Sequence, residues 1–161
     1  MKPRWWNKSR KHLIKKDQVI RRLIKSYKGH LTTRNDFFYS LTRSIISQQI
    51  SVSAADSIFS RFEKKCKNKI NPKNVIKLSI LDLKKCGLSR MKAVGIKSLA
   101  KKISEKSFEP KLIKKMTDEE AINYLSSLRQ IGRWSSEMVL IFFYNRPNIW
   151  PIQDIGLLRS I

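Results

Sequence analysis

Apolar positions recur along this chain at intervals of three and four, the spacing that gathers side chains on one face of an α-helix. In "DQVIRRLIKSYKG", Val19, Ile20, Leu23, Ile24 and Tyr27 share one face opposite a basic one, with Asp17 placed as N-cap and Gly29 as a stop. "NDFFYSLTRSIISQQ" repeats the pattern through Phe38, Leu41 and Ile45, and "SVSAADSIFSRFEKK" through Ala54, Ala55, Ile58 and Phe62. Ser53 and Asp56 have the spacing of a capping box for that helix. Shorter helices are predicted at "NPKNVIKL", with Pro72 in the first turn, and at "SILDLKKCG", opened by Ser79 with Asp82 and closed by Gly87. "SRMKAVGIKSLAKKIS" follows, capped by Ser89, and "TDEEAINYLSSL" opens with a Thr117/Glu120 capping box and three acids at the positive end of its dipole. No stretch alternates as a strand does, so the expected class is all-α, one domain over residues 1–161.

The pattern is interrupted by "NRPNIWP" and resumes as "QDIGLLRSI", where it stops in mid-helix at Ser160 and Ile161. A helix this short is marginal without packing partners. The sequence therefore reads as the first part of a longer protein, incomplete at the C-terminus.

Charge changes the picture next. With 35 Lys and Arg against 12 Asp and Glu, the net charge is +23. Such an excess suits a polyanion, because each phosphate neutralised releases condensed counterions. Nucleic acid leads, an anionic membrane comes second, and a Lys-rich habit that merely solvates surfaces is the bland alternative. The first 34 residues carry 12 of these cations and one acid. The longest apolar run, Met138 to Tyr144, is too short to span a bilayer, and "MKPRWWNKSRKHLIKK" lacks the apolar core of a signal peptide, so the expected location is the cytoplasm. Cys66 and Cys86 have neither metal-site spacing nor disulfide density and are expected to be reduced thiols; no cofactor and no metal is implied.

Two helices joined by "RQIG" make a helix-hairpin-helix candidate at about 118–144. Gly132 is expected to supply the backbone freedom of the turn. The second helix begins there with unpaired amides that, together with Arg133, suit a phosphate whatever the base. Ile131 is the central apolar residue of this turn. Twenty-two residues beyond Gly132 a lone carboxylate, Asp154, stands among Trp150, Pro151, Ile152, Ile155, Leu157 and Leu158. On its own it reads as an ordinary N-cap.

"IGRWSSEMVLIFFYNRPNIWPIQDIGL" resembles the helix-hairpin-helix DNA glycosylases, most of all the DNA-3-methyladenine glycosylase II branch, in which the hairpin is followed by a Gly/Pro-rich loop and a catalytic Asp. "FFYSLTRSIISQQISVSAADSIFSRF", "GLSRMKAVGIKSLA" and the N-terminal "HLIKKDQVIRRLI" extend the resemblance, in order, over nearly the whole chain. It implies that fold, C-terminally truncated, and excision of alkylated purines such as 3-methyladenine by a monomer acting on double-stranded DNA with a damaged base, away from any membrane.

Position by position, the resemblance puts Asp154 at the catalytic Asp. An ionised carboxylate there stabilises the positive charge that builds on the sugar as the N-glycosidic bond breaks. Trp134 stands where strand-cleaving relatives carry a Lys, so the implied reaction is hydrolysis alone, leaving an abasic site. Its indole either lines the base pocket, where a cationic alkylated base gains from the ring face, or anchors the second hairpin helix. Gln49, in "SQQIS", matches the position from which relatives insert a side chain into the base stack; its plain alternative is an exposed helix end. Trp5 and Trp6 are expected to be packing or anchoring residues. Gln130 departs from the family pattern, standing where the hairpin commonly has its first Gly. The rivals to an alkylpurine glycosylase are a non-catalytic DNA-binding hairpin module and a glycosylase for deaminated or oxidised bases.

Overall fold

The computed structural model describes residues 2–159. Among them every regular element is helical: α1 (Trp6–Lys16), α2 (Gln18–Ser26), α3 (Phe37–Ser47), α4 (Val52–Lys65), α5 (Pro72–Ile76), α6 (Ile80–Lys85), α7 (Arg90–Ser104), a 3-10 turn (Pro110–Lys115), α8 (Asp118–Ser126), α9 (Arg133–Phe142) and α10 (Ile155–Leu158). The C-terminal residues Ser160 and Ile161, where the helical pattern was read as broken off, lie outside the described residues.

Side-chain caps set most of the starts. Asp17, Asp36, Asn71 and Ser89 each accept an amide from the first turn of their helix, and Ser79/Asp82 and Thr117/Glu120 form full capping boxes. The expected Ser53/Asp56 box does not form. Ser51 caps α4 instead, accepting the Ala54 amide at 3.2 Å, while Asp56 turns away to pair with Arg43. The reason is the backbone: Ser51 is still extended, whereas residue 53 is already inside the helix. Likewise α2 ends at Ser26, three residues before Gly29, with Tyr27 in an extended conformation.

The core is organised by α3, which packs against α4, α7 and α9. Leu41, Ile45 and Ile46 on it are essentially sealed from solvent, as are Phe62 of α4, Ile96 and Leu99 of α7, and Val139 and Leu140 of α9. Truncating one such Leu or Ile to Ala costs about 2–5 kcal/mol. An aromatic cluster joins the start of α3 to the end of α9: Phe37 contacts Phe108, Phe143 and Tyr144, and Phe108 stacks on Tyr124. The Tyr144 hydroxyl donates to Pro110 O at 2.7 Å. Arg146 donates to Asp118 Oδ1 at 2.6 Å and to the carbonyls of Ile113 and Met116, which ties the chain leaving α9 to the start of α8.

The N-terminal pair α1 and α2 behaves differently. The two helices pack chiefly on each other, and neither has a buried residue. Arg10 donates to Ile24 O and Arg21 to Ile14 O, closing the pair. The predicted apolar face of α2 is real but largely in solvent, with Val19 66% and Tyr27 73% exposed. Trp5 anchors the pair to the body through Nε1–H to Asn145 O at 2.6 Å.

Candidate functional site

The hairpin is built by α8 and α9. Its turn contains one residue in the left-handed region, and that residue is Gln130, at φ 64°. Gly132 is extended, at φ −102° and ψ −175°, and a Cβ there would meet nothing. The expectation that Gly132 supplies the freedom of the turn is therefore corrected: the residue at the family's first glycine position bears the unusual conformation, at a cost of about 1–3 kcal/mol. Ile131 faces the core, 4% exposed, and its amide donates to Leu128 O at 3.1 Å. It holds the turn from beneath.

At Gly132 the helix α9 opens without a side-chain cap. Gly132 and Arg133 are exposed, so the first-turn donors stand at the surface as an anion site requires. Arg133 itself is already engaged. Its guanidinium grips Glu119 of α8 at 3.0 and 2.5 Å and Glu137 of α9 at 3.1 Å. The fork spans both hairpin helices and leaves little of its charge unmatched. Beside it the Glu119 carboxyl is held below its usual range by Arg133, while burial pushes the Glu137 carboxyl up. Glu137 is 3% exposed, and its Oε2 has no hydrogen-bond partner.

At the next residue, Trp134 meets Asp154. The indole Nε1–H donates to Asp154 Oδ2 at 2.7 Å, and Asp154 Oδ1 accepts the Leu157 amide at 3.0 Å as the N-cap of α10. Both carboxylate oxygens are thereby oriented by donors that favour the ionised form. The Trp134 bond is the main reason the Asp154 carboxyl sits below its ordinary value, against the smaller opposing effect of burial. Trp134 and Asp154 are each half-buried, so the pair is fixed yet reachable.

Gln49 lies at the exposed tip between α3 and α4, also in the left-handed region at φ 56°. Its neighbour Gln48, which the sequence did not single out, reaches across to the hairpin. Gln48 Nε2 donates to Gln130 O at 2.8 Å and to Ser135 Oγ at 2.9 Å. Lys92 of α7 donates to Gln48 O at 2.7 Å and to Ile46 O at 2.9 Å, closing the C-terminal end of α3. The hairpin turn, the Trp134–Asp154 pair and the Gln49 tip are thus connected through α9.

Among the described residues no group of three His, Cys, Asp or Glu is arranged to hold a metal ion, and no helix is long and apolar enough to cross a membrane. Cys66 and Cys86 are buried free thiols, that of Cys66 pushed up to about 11 chiefly by burial.

A model of the HhH-GPD superfamily base excision DNA repair proteins matches residues 42–161. The chain is 30% identical to DNA-3-methyladenine glycosylase 1 of Schizosaccharomyces pombe, the match covering 91% of this chain and 67% of that protein. It is also 30% identical to the DNA-3-methyladenine glycosylase of Saccharomyces cerevisiae, over 96% of this chain and 58% of that one. In three dimensions it is similar to the S. pombe 3-methyladenine DNA glycosylase solved in complex with abasic DNA, with a TM-score of 0.80 and 29% identity over 93% of this chain and 76% of that one. For the 3-methyladenine DNA glycosylase of Archaeoglobus fulgidus the TM-score is 0.74 at 26% identity, over 99% and 63%. The chain spans between 58% and 67% of the length of the two yeast relatives.

Proposed function

Because this chain belongs to the HhH-GPD superfamily of base excision DNA repair proteins, we propose that it serves as a monofunctional DNA glycosylase, releasing an alkylated purine such as 3-methyladenine from duplex DNA by hydrolysis. The observation that carries this reading is the bond from the Trp134 indole to the Asp154 carboxylate at 2.7 Å. It keeps an acid ionised and aimed beside a half-exposed aromatic ring, the two groups that excision of a cationic base requires.

The chemistry follows from charge. As the bond from base to deoxyribose lengthens, the sugar takes on oxocarbenium character, and Asp154 stabilises it with a fixed negative charge in partly water-excluded surroundings. The base leaves with the bonding pair, becoming neutral, and water adds to the anomeric carbon and gives up its proton to solvent. No amine stands at position 134, so no Schiff base forms with the sugar and the strand stays whole. The Trp134 ring offers its face to the positively charged base, worth about 0.5–2 kcal/mol. The first turn of α9 holds a backbone phosphate through Gly132 and its neighbours, while Arg133, neutralised by Glu119 and Glu137, contributes by bracing the hairpin. Gln49 fills the gap left by the extruded nucleotide.

The test is to incubate the protein with duplexes carrying a single alkylated, deaminated or oxidised base, treat with alkali, and look for cleavage at that site. Alkali-dependent cleavage at the alkylated purine, lost in Asp154→Asn, is the expected result. Salt-sensitive duplex binding with no base release by this chain, or by the chain extended to the length of its relatives, would reduce it to a DNA-binding hairpin module. Cleavage without alkali would overturn the hydrolytic assignment, and release of only deaminated or oxidised bases would overturn the substrate.

A further inference from the structure

Two non-glycine residues of this region lie in the left-handed conformation: Gln49 at φ 56° on the α3–α4 tip and Gln130 at φ 64° in the hairpin turn. Each such conformation persists only where surrounding bonds over-determine it. Bonds at Gln48 bear on both: its side chain holds the Gln130 carbonyl, and Lys92 holds Gln48 O, the carbonyl of the peptide that leads into Gln49. Gln48 directs its two amide hydrogens onto the Gln130 carbonyl at 2.8 Å and the Ser135 hydroxyl at 2.9 Å, contacts that join positions 82 and 87 residues apart. Its own carbonyl is held at 2.7 Å by Lys92. Ser135 is 2% exposed and belongs to the first turn of α9, so the acceptor is rigidly placed.

We propose that Gln48 is a positioning residue that locks the Gln49 tip to the hairpin turn, so that a duplex held at the start of α9 meets the inserting side chain already aimed at its stack. The proposal rests on the reading of this face as the duplex-binding one. Its physical content is preorganisation: unstacking a nucleotide costs a few kcal/mol, and a tip that needed ordering at that moment would add to the cost. With the amide link in place, the ordering is complete before DNA arrives. A merely structural stitch would lower stability and every DNA-dependent property together. A positioning stitch separates them, because phosphate contact uses α9 while insertion uses the tip.

The experiment follows the full chain binding a duplex in which 2-aminopurine lies beside an abasic site, reading anisotropy for binding and 2-aminopurine fluorescence for unstacking, with melting temperature recorded for each variant. In Gln48→Leu the expected result is duplex affinity within about threefold of the unaltered protein, the same dependence on salt, and a drop of roughly tenfold in the unstacked-to-stacked ratio, the size expected for losing two neutral hydrogen bonds. Ser135→Ala removes one acceptor, is expected to give an intermediate drop, and adds nothing in the Gln48→Leu background. It also carries the test should Gln48→Leu fail to fold. Unchanged fluorescence in the variants, or affinity and fluorescence falling in proportion, would overturn the proposal. Absence of any fluorescence change on binding by the unaltered protein would instead overturn the assignment of Gln49 to insertion, and the proposal with it.

Discussion

Trp134→Phe isolates the contact on which the proposed chemistry depends. The substitution keeps a six-membered aromatic ring at the start of α9 and removes the pyrrole ring with its N–H, the one 2.7 Å from Asp154 Oδ2. A hydrogen bond to a charged group contributes about 1.5–3 kcal/mol, and each 1.4 kcal/mol is a factor of ten in rate. If that bond fixes the carboxylate for the transition state, single-turnover base release falls by about tenfold to a hundredfold, with KM little changed. The pH behaviour carries a second sign. The Asp154 carboxyl is depressed mainly by Trp134, so its contribution to stability is complete above the unfolded value, about 3.9, and is lost as pH falls through the folded one. Removing the indole donor moves the folded value up toward the unfolded one, and the acid limb of activity moves up with it. Carboxyl NMR of Asp154 measures that midpoint without any turnover. An unchanged midpoint together with an unchanged release rate in Trp134→Phe would refute the role given to the indole.

Other consequences are equally concrete. Asp154→Asn keeps the cap acceptor for the Leu157 amide but removes the charge, so base release is expected to fall by at least about a hundredfold while gel-shift affinity for duplex stays the same. In Gly95→Ala the new Cβ would stand 2.7 Å from Gln130 Cγ and 3.3 Å from Arg129 O, so the substitution should lower stability in urea melts by about 1 kcal/mol net; in a Gln130→Gly background, where the side-chain clash is gone, the helix preference of Ala should make it stabilising by about the same amount. Ser79→Ala removes the side-chain half of a capping box, the Oγ that accepts the Asp82 amide, and should cost about 1 kcal/mol by the same measurement. Duplex affinity should fall linearly on a log–log plot against salt concentration, and a flat dependence would contradict binding through phosphates.

Local rules carried the sequence reading a long way. Caps at Asp17, Ser79, Ser89 and Thr117 act within three residues, and they fall where spacing predicts them. The Ser53/Asp56 assignment failed because Ser51 offers the same chemistry two residues earlier, and only backbone conformation decides between them. The amphipathic face of α2 was legible as a pattern, but a pattern does not state what packs against it. At the site, Asp154 could be recognised as an isolated carboxylate with capping geometry, but its bond to Trp134, 20 residues away on another helix, could not. The same holds for Gln48, whose partners are more than 80 residues distant, and for Arg133, whose cationic label gave no sign that Glu119 and Glu137 already occupy it. The hairpin turn departs from the sequence expectation for a related reason. Glycine permits a left-handed turn without requiring one, and here Gln130 adopts it, with its carbonyl held by Gln48 and Ile131 beside it buried in the core.

The exposed face of α2 bears on how the protein behaves as a solute. Val19, Leu23 and Tyr27 form a greasy strip on a molecule whose net charge of +23 makes its copies repel one another. That repulsion reaches about 10 Å in 0.1 M salt and about 3 Å in 1 M. High salt, the usual means of stripping a basic protein from nucleic acid, therefore also removes the barrier that keeps these strips apart. At high salt the protein is therefore expected to self-associate, which light scattering against salt concentration would show, and a polyanion at modest ionic strength is the gentler means of keeping it dispersed.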